Sequence, residues 1–123
     1  MAEPINSSAS ASANTARPGE IFAAVFQTVE ERKRTMPEKS YVAQLLRKGT
    51  DAICCKVAEE AGETIKAARE QSVEQLSKEV CDLFFHTMVL LASKEISFAA
   101  IEAEFGRRHG VSGLDEKASR VAK

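Results

Sequence analysis

EVCDLFFHTMVLL, Glu79 to Leu91, is one of the most apolar runs in the chain, and two carboxylates, Glu79 and Asp82, interrupt it. At about 100° per residue, Leu76, Val80, Leu83, Thr87 and Leu91 share one sector of a helix, with Glu79, Asp82 and His86 in the sector beside it. From Val80 onward apolar side chains occupy nearly the whole circumference, the pattern of a helix enclosed by other helices or by a second subunit. Carboxylates on such a helix are almost never buried without a compensating charge.

About twenty residues earlier, KVAEEAGETIKAA, Lys56 to Ala68, repeats the arrangement. Ile53, Val57, Ala61, Thr64 and Ala68 form an apolar sector, and Lys56, Glu59, Glu60 and Glu63 line its edge. Lys56 and Glu60 are an ordinary i,i+4 pair, so these acids alone fit a solvated face as well as a site. Glu79 and Asp82 shift that balance: if the two apolar sectors face each other, the acidic edges converge. Four or five carboxylates brought together raise one another's pKa unless a cation neutralises them. Lys56 and Lys48 are too little for that. A divalent metal is the natural complement, and an all-oxygen donor set selects a hard ion, Mg²⁺ with Mn²⁺ as the alternative. Mg²⁺ keeps several waters and commonly bridges carboxylates to substrate phosphates.

Outward from these two segments the chain predicts an all-α fold, because alternation of the strand kind is absent from every window. One helix is expected over Gly19 to Met36, stopped by Pro37, with Ile21, Phe22, Val25, Phe26 and Val29 as its apolar face. A short helix from Lys39 to Leu46 follows, then a break at Gly49 and a long helix from Thr50 to Glu70. Ser72 is the expected N-cap of the next, with Gln75 completing a capping-box pattern, and that helix runs to Ser93 or Lys94. The last spans Ser97 to Arg108 with Phe98, Ile101 and Phe105 as its stripe, and Arg107, Arg108 and His109 form a basic C-terminal cluster. The two central helices form an antiparallel pair across a very short loop. Residues 1–18, rich in Ser, Ala and Asn, are expected to be disordered, residues 19–108 to form the domain, and 109–123 to be a flexible tail with little regular structure.

At 123 residues there is room for one domain. A net charge of −1, from 17 basic and 18 acidic residues, argues against a nucleic-acid partner. A secretory signal is not expected, since no basic stretch is followed by an apolar one, and no run reaches the eighteen or so apolar residues of a membrane span. Three cysteines, Cys54, Cys55 and Cys81, have neither zinc spacing nor a disulfide framework, and are read as small buried apolar groups in a cytoplasmic protein. His86 is more often a satisfied core residue than a ligand in such a setting. A bundle of this size cannot cover Cys81, Phe85 and Val89 on every side, which predicts a homodimer.

EEAGE followed after fifteen residues by EVCD has the form EExxE…ExxD, and it resembles the signature of the all-α nucleoside triphosphate pyrophosphatase superfamily. SYVAQLLRKG, KVAEEAGETIKAA, EVCDLFFHTMVLLA and SGLDEKASR, in that order, resemble successive blocks of the phosphoribosyl-ATP pyrophosphohydrolase family, over about Glu20 to Arg120. The resemblance implies a dimeric helical bundle that performs the second step of histidine biosynthesis, the hydrolysis of phosphoribosyl-ATP to phosphoribosyl-AMP and pyrophosphate. It implies Mg²⁺ on Glu60, Glu63, Glu79 and Asp82, with Glu59 orienting or deprotonating the attacking water. Lys48 and Lys56 would neutralise phosphate charge, and Ser40 and Tyr41 would line the substrate site. Zinc cysteines of the fused cyclohydrolase found in some relatives are absent, so the stand-alone form is expected. Gly62, where many relatives carry a larger residue, is a local departure that would mark close packing. Two alternatives stay open: a house-cleaning nucleoside triphosphate pyrophosphatase with the same metal site, and a non-catalytic scaffold dimerising through Phe84, Phe85 and Met88.

Overall fold

A computed structural model describes residues 17–110 and 112–121, and every regular element among them is helical. The helices are α1 (Glu20–Thr35), α2 (Tyr41–Lys48), α3 (Thr50–Glu70), α4 (Val73–Ser93), α5 (Phe98–Arg108) and α6 (Gly113–Val121). The expectation of disorder over residues 1–18 falls, but for Arg17 and Pro18, outside the described residues.

Local chemistry sets most of the boundaries. Met36 turns left-handed at φ 48°, and Pro37 follows. The hydroxyls of Ser40, Ser72 and Ser97 each accept the backbone N–H three residues on, at 3.1 Å, and so cap α2, α4 and α5. Gly49, at φ 97°, both closes α2 by donating to the Leu45 carbonyl and opens α3 by accepting from Ile53. That backbone conformation suits glycine alone, so the break between the two helices needs no longer loop. The Ser72 cap is half of the expected capping box. The Gln75 amide is directed instead at Glu79, 2.8 Å away.

Helices α3 and α4, each 21 residues long and joined by two, lie antiparallel and form the spine. Helix α1 packs on α4, and α2 fits against α1, α3 and α4. Phe26, Val29, Val42, Leu45, Ile53 and Val89 are the centre of the core, and Phe98 of α5 adds a ring 5.7 Å from that of Phe26. The covered half of α4 is its C-terminal half; Val73 is 76% exposed and Phe84 46%. An apolar groove of about 310 Å³ runs between α1 and α4, lined by Ile21, Phe22 and Val25 on one side and Val80, Phe84 and Met88 on the other.

Three expectations are corrected here. Cys54, Cys55 and Cys81 are all exposed. The first two follow the fully buried Ile53 around a helix that only one side of the chain covers, and successive residues turn away from that side. Phe105 is 71% exposed, because α5 meets the core through Phe98 at its start and leaves its last turns uncovered. The segment after Arg108 does hold regular structure. Ser112 accepts from Asp115 N–H at 3.1 Å, and the good helix formers Leu, Glu, Lys and Ala carry α6 onward.

Glu104 on α5 accepts from Arg107 and Arg108 at 2.6 and 3.0 Å. These guanidinium bonds hold its carboxyl at about 2 against an ordinary 4.5. Because the folded value is the lower one, the pairing supports α5 above about pH 4.5 and is lost as the pH falls toward 2. A carboxyl titration by NMR should therefore show Glu104 ionised at pH 3.5, and Arg107→Ala together with Arg108→Ala should return it toward 4.5. No single helix among the described residues is long and apolar enough to cross a membrane.

Candidate active site

The buried residues of α3 are Ile53, Glu60 and Ala67, one every seven positions. Glu60 thus sits in the middle of the face turned to the bundle, 7% exposed, and not at the edge of the apolar sector where rotation at 100° puts it. Ala68, expected on the apolar face, is exposed. Thr64 explains how the two spine helices fit so closely at this point. Its hydroxyl lies 2.8 Å from the Glu60 carbonyl and 3.3 Å from that of Glu79 across the pair. The cross-helix contact fixes the register that brings α4's acids to α3's.

Carboxylate oxygens of Glu60, Glu79 and Asp82 all lie within 4.8 Å of one another. Glu79 is held by Gln75, one turn earlier on α4. Lys56, one turn before Glu60, places its ammonium 3.6 Å from Glu60 and 3.1 Å from Glu59. Burial alone would lower the Lys56 pKa, but the Glu59 hydrogen bond and the charges of Tyr41, Glu59 and Glu60 outweigh it and the value is raised. Tyr41, at the start of α2, has its phenol pushed up by burial and by the negative charge of Glu60, Glu59 and Asp82, against the pull of Lys56. Its hydroxyl is 2.9 Å from His86 Nε2, and His86 Nδ1 is 2.7 Å from the Asp82 carbonyl. His86 has no solvent exposure, and both its ring nitrogens are paired, in line with a satisfied core residue.

Of the sequence-expected residues, Glu59, Glu60, Glu79, Asp82, Lys56 and Tyr41 are thus neighbours. Glu63 is exposed and lies outside the three-carboxylate group. Ser40 is 3% exposed, with its hydroxyl engaged in the α2 cap. Lys48 is exposed in the last turn of α2. Thr64 and Gln75 join the site without having been expected there, and His86, which rotation places beside Glu79 and Asp82, joins it as a core residue. Each left a trace in the sequence: a lone hydroxyl in an apolar sector, and polar residues one turn from Glu79 and Asp82. Gly62 does not mark close packing, since a Cβ there would meet nothing within 4 Å. Gly62→Ala is accordingly expected to raise stability by about 0.5–1 kcal/mol in thermal denaturation.

Three carboxylates against one shared ammonium leave an excess of negative charge around a partly enclosed point. Such oxygens suit a small hard cation, whose ligands sit at roughly 2.0–2.1 Å from it and so about 3–4 Å apart. Without a cation the cluster is repulsive.

Residues 22–109 match the family model described as phosphoribosyl-ATP pyrophosphohydrolase. Several curated proteins bearing the name phosphoribosyl-ATP pyrophosphatase are similar over nearly their whole length. That of Azoarcus sp. (strain BH72) is 54% identical over 101 residues, 82% of this chain and 94% of the relative. That of Aromatoleum aromaticum is 52% identical over 102 residues, 83% and 94%, and that of Chromobacterium violaceum 48% identical over 101 residues, 82% and 94%.

Proposed function

Because the chain belongs to the phosphoribosyl-ATP pyrophosphohydrolase family, we propose that it hydrolyses phosphoribosyl-ATP to phosphoribosyl-AMP and pyrophosphate, the second step of histidine biosynthesis, in the cytoplasm. The observation that carries this reading is the convergence of Glu60, Glu79 and Asp82 beside Lys56 and Tyr41.

Glu60, Glu63, Glu79 and Asp82 would hold Mg²⁺, with Mn²⁺ as the alternative ion; Glu63 lies on α3 at i+3 from Glu60. When bound, the ion supplies the positive charge that phosphates and carboxylates both need in order to share one site. Lys56 adds an ammonium to the anhydride oxygens, and Lys48, exposed in the last turn of α2, is the second cation of the reading. Glu59, exposed, bonded to Lys56 and outside the three-carboxylate group, is the carboxylate that would orient water and take its proton as the water oxygen bonds to phosphorus. Pyrophosphate departs with the electrons of the broken P–O bond. No side chain forms a covalent bond with substrate. Ser40 contributes by fixing the start of α2, where Tyr41 enters the site.

The active assembly is a homodimer closed over the groove between α1 and α4. Support comes from its apolar lining and from Phe84, a large ring left half in water. The test is turnover of phosphoribosyl-ATP with and without Mg²⁺, beside a panel of deoxynucleoside triphosphates. Strong preference for phosphoribosyl-ATP with dependence on Mg²⁺ is expected. Equal or faster turnover of deoxynucleotides would assign a house-cleaning pyrophosphatase instead, and no turnover together with no Mg²⁺ binding by calorimetry would assign a scaffold.

A further inference from the structure

His86 is fully buried, belongs to no carboxylate group, and yet touches both sides of the site. Its Nδ1 lies 2.7 Å from the backbone carbonyl of Asp82, which is an acceptor only, so Nδ1 carries the hydrogen. Its Nε2 then offers only a lone pair. Tyr41 Oη, 2.9 Å away, must donate its single proton to that lone pair. The ring of Tyr41 is fixed as well, stacked at 18° on Phe85 and edge-on to His86.

We propose that His86 is a positioning residue that takes up the Tyr41 proton, so that Tyr41 meets the substrate as a hydrogen-bond acceptor and recognises a sugar hydroxyl, not a phosphate oxygen. A phosphate oxygen is itself an acceptor and finds nothing to accept from a phenol already spent. A ribose hydroxyl supplies the missing donor. The electrostatics agree: the charges of Glu59, Glu60 and Asp82 act on Tyr41 and repel anions, against the pull of Lys56. The inference rests on the proposed nucleotide hydrolysis for its substrate, but its structural half, the tautomer and the direction of the Tyr41 bond, is open to measurement in the protein alone.

Nitrogen-15 NMR of the imidazoles in the full chain should show His86 with hydrogen on Nδ1 and a bare Nε2; hydrogen on Nε2 overturns the proposal whatever the protein hydrolyses. Calorimetry with Mg²⁺ and two probes tests the ligand half. Tyr41→Phe should weaken ATP binding about tenfold, the loss of one hydrogen bond, and leave inorganic pyrophosphate within about twofold. ATP lacking either the 2′ or the 3′ hydroxyl should bind wild type as weakly as ATP binds Tyr41→Phe, and that analogue should lose nothing further in the variant. Equal weakening of pyrophosphate and ATP would mean that Tyr41 serves phosphate, and an unchanged ATP affinity would mean that the pair is structural only. In turnover, Tyr41→Phe should raise KM with kcat little changed. His86→Gln, which can return an acceptor to the Nε2 position, should sit closer to wild type than His86→Leu. Should His86→Leu not fold, the tautomer and the Tyr41→Phe probes still decide the question.

Discussion

Glu60→Gln and Asp82→Asn should each lower turnover of phosphoribosyl-ATP by more than about a hundredfold while leaving the helical circular dichroism unchanged. The two residues come from different helices, α3 and α4, and their carboxylates reach within 4.8 Å of each other and of Glu79. A cation shared between helices needs ligands from both, and a hard cation at a phosphoryl centre contributes several kcal/mol of transition-state stabilisation, which at about 1.4 kcal/mol per factor of ten is a hundredfold or more. The amide keeps the volume of the acid and removes the charge, so packing in the seam is retained. Without metal, either variant should melt at or above the wild-type temperature, since one of three mutually repelling carboxylates is gone. Lys56 is not stranded in Glu60→Gln because it keeps Glu59 at 3.1 Å. Mg²⁺ titrated calorimetrically should bind wild type and fail to bind the variants in the same range. Normal turnover in either amide variant would remove the metal assignment.

The placement of that site was largely legible in sequence, and the reasons differ residue by residue. The α3 boundaries, Thr50 and Glu70, follow from Gly49 and from a run with no other breaker, and Ser72 announces α4 three residues before the Gln75 N–H it caps. Convergence of the acids follows from two helical stripes and a short loop. What periodicity could not supply is the rotation of each helix about its own axis. A 100° step locates residues relative to one another, whereas the absolute direction is set by packing, and here Thr64 bonded to the Glu79 carbonyl turns Glu60 into the seam. The same ignorance made three exposed cysteines look buried. A polar pair across helices, Tyr41 with His86, requires a known register, whereas Gln75 with Glu79 is an i,i+4 pair within α4 of the kind a sequence does offer. Helix α6 was missed because two glycines and few apolar residues point away from a helix; Ser112 accepts from Asp115 N–H at its start, and Leu114 is 81% exposed.

Two neighbouring phenylalanines should behave oppositely when replaced by glutamate, and the contrast tests the dimer. Phe85, which the apolar pattern of α4 assigns to an interface, is 8% exposed within one chain and packs on Tyr41 and His86. Phe85→Glu removes a core ring, a loss of roughly 3–5 kcal/mol, and places a carboxylate where no cation waits. At about 4–8 °C per kcal/mol for a domain of this size, melting should fall by roughly 12–40 °C or the protein should not fold at all, irrespective of assembly. Phe84 is 46% exposed, tilted 54° against Phe22 at 5.8 Å on the wall of the α1–α4 groove. In a monomer Phe84→Glu would move a half-wet ring into full solvent and cost about 1 kcal/mol or less. In a dimer closed over the groove it puts two symmetry-related charges into a desolvated interface, because a two-fold axis presents every substitution twice. Light scattering should then show wild type at twice the chain mass at micromolar concentration and Phe84→Glu at the chain mass, with a melting temperature that no longer rises with concentration. If wild type scatters as a stable, active monomer, the groove is a solvated furrow and Phe84→Glu should be nearly silent; no intermediate behaviour of Phe85→Glu can distinguish these cases, since its effect is spent inside the chain.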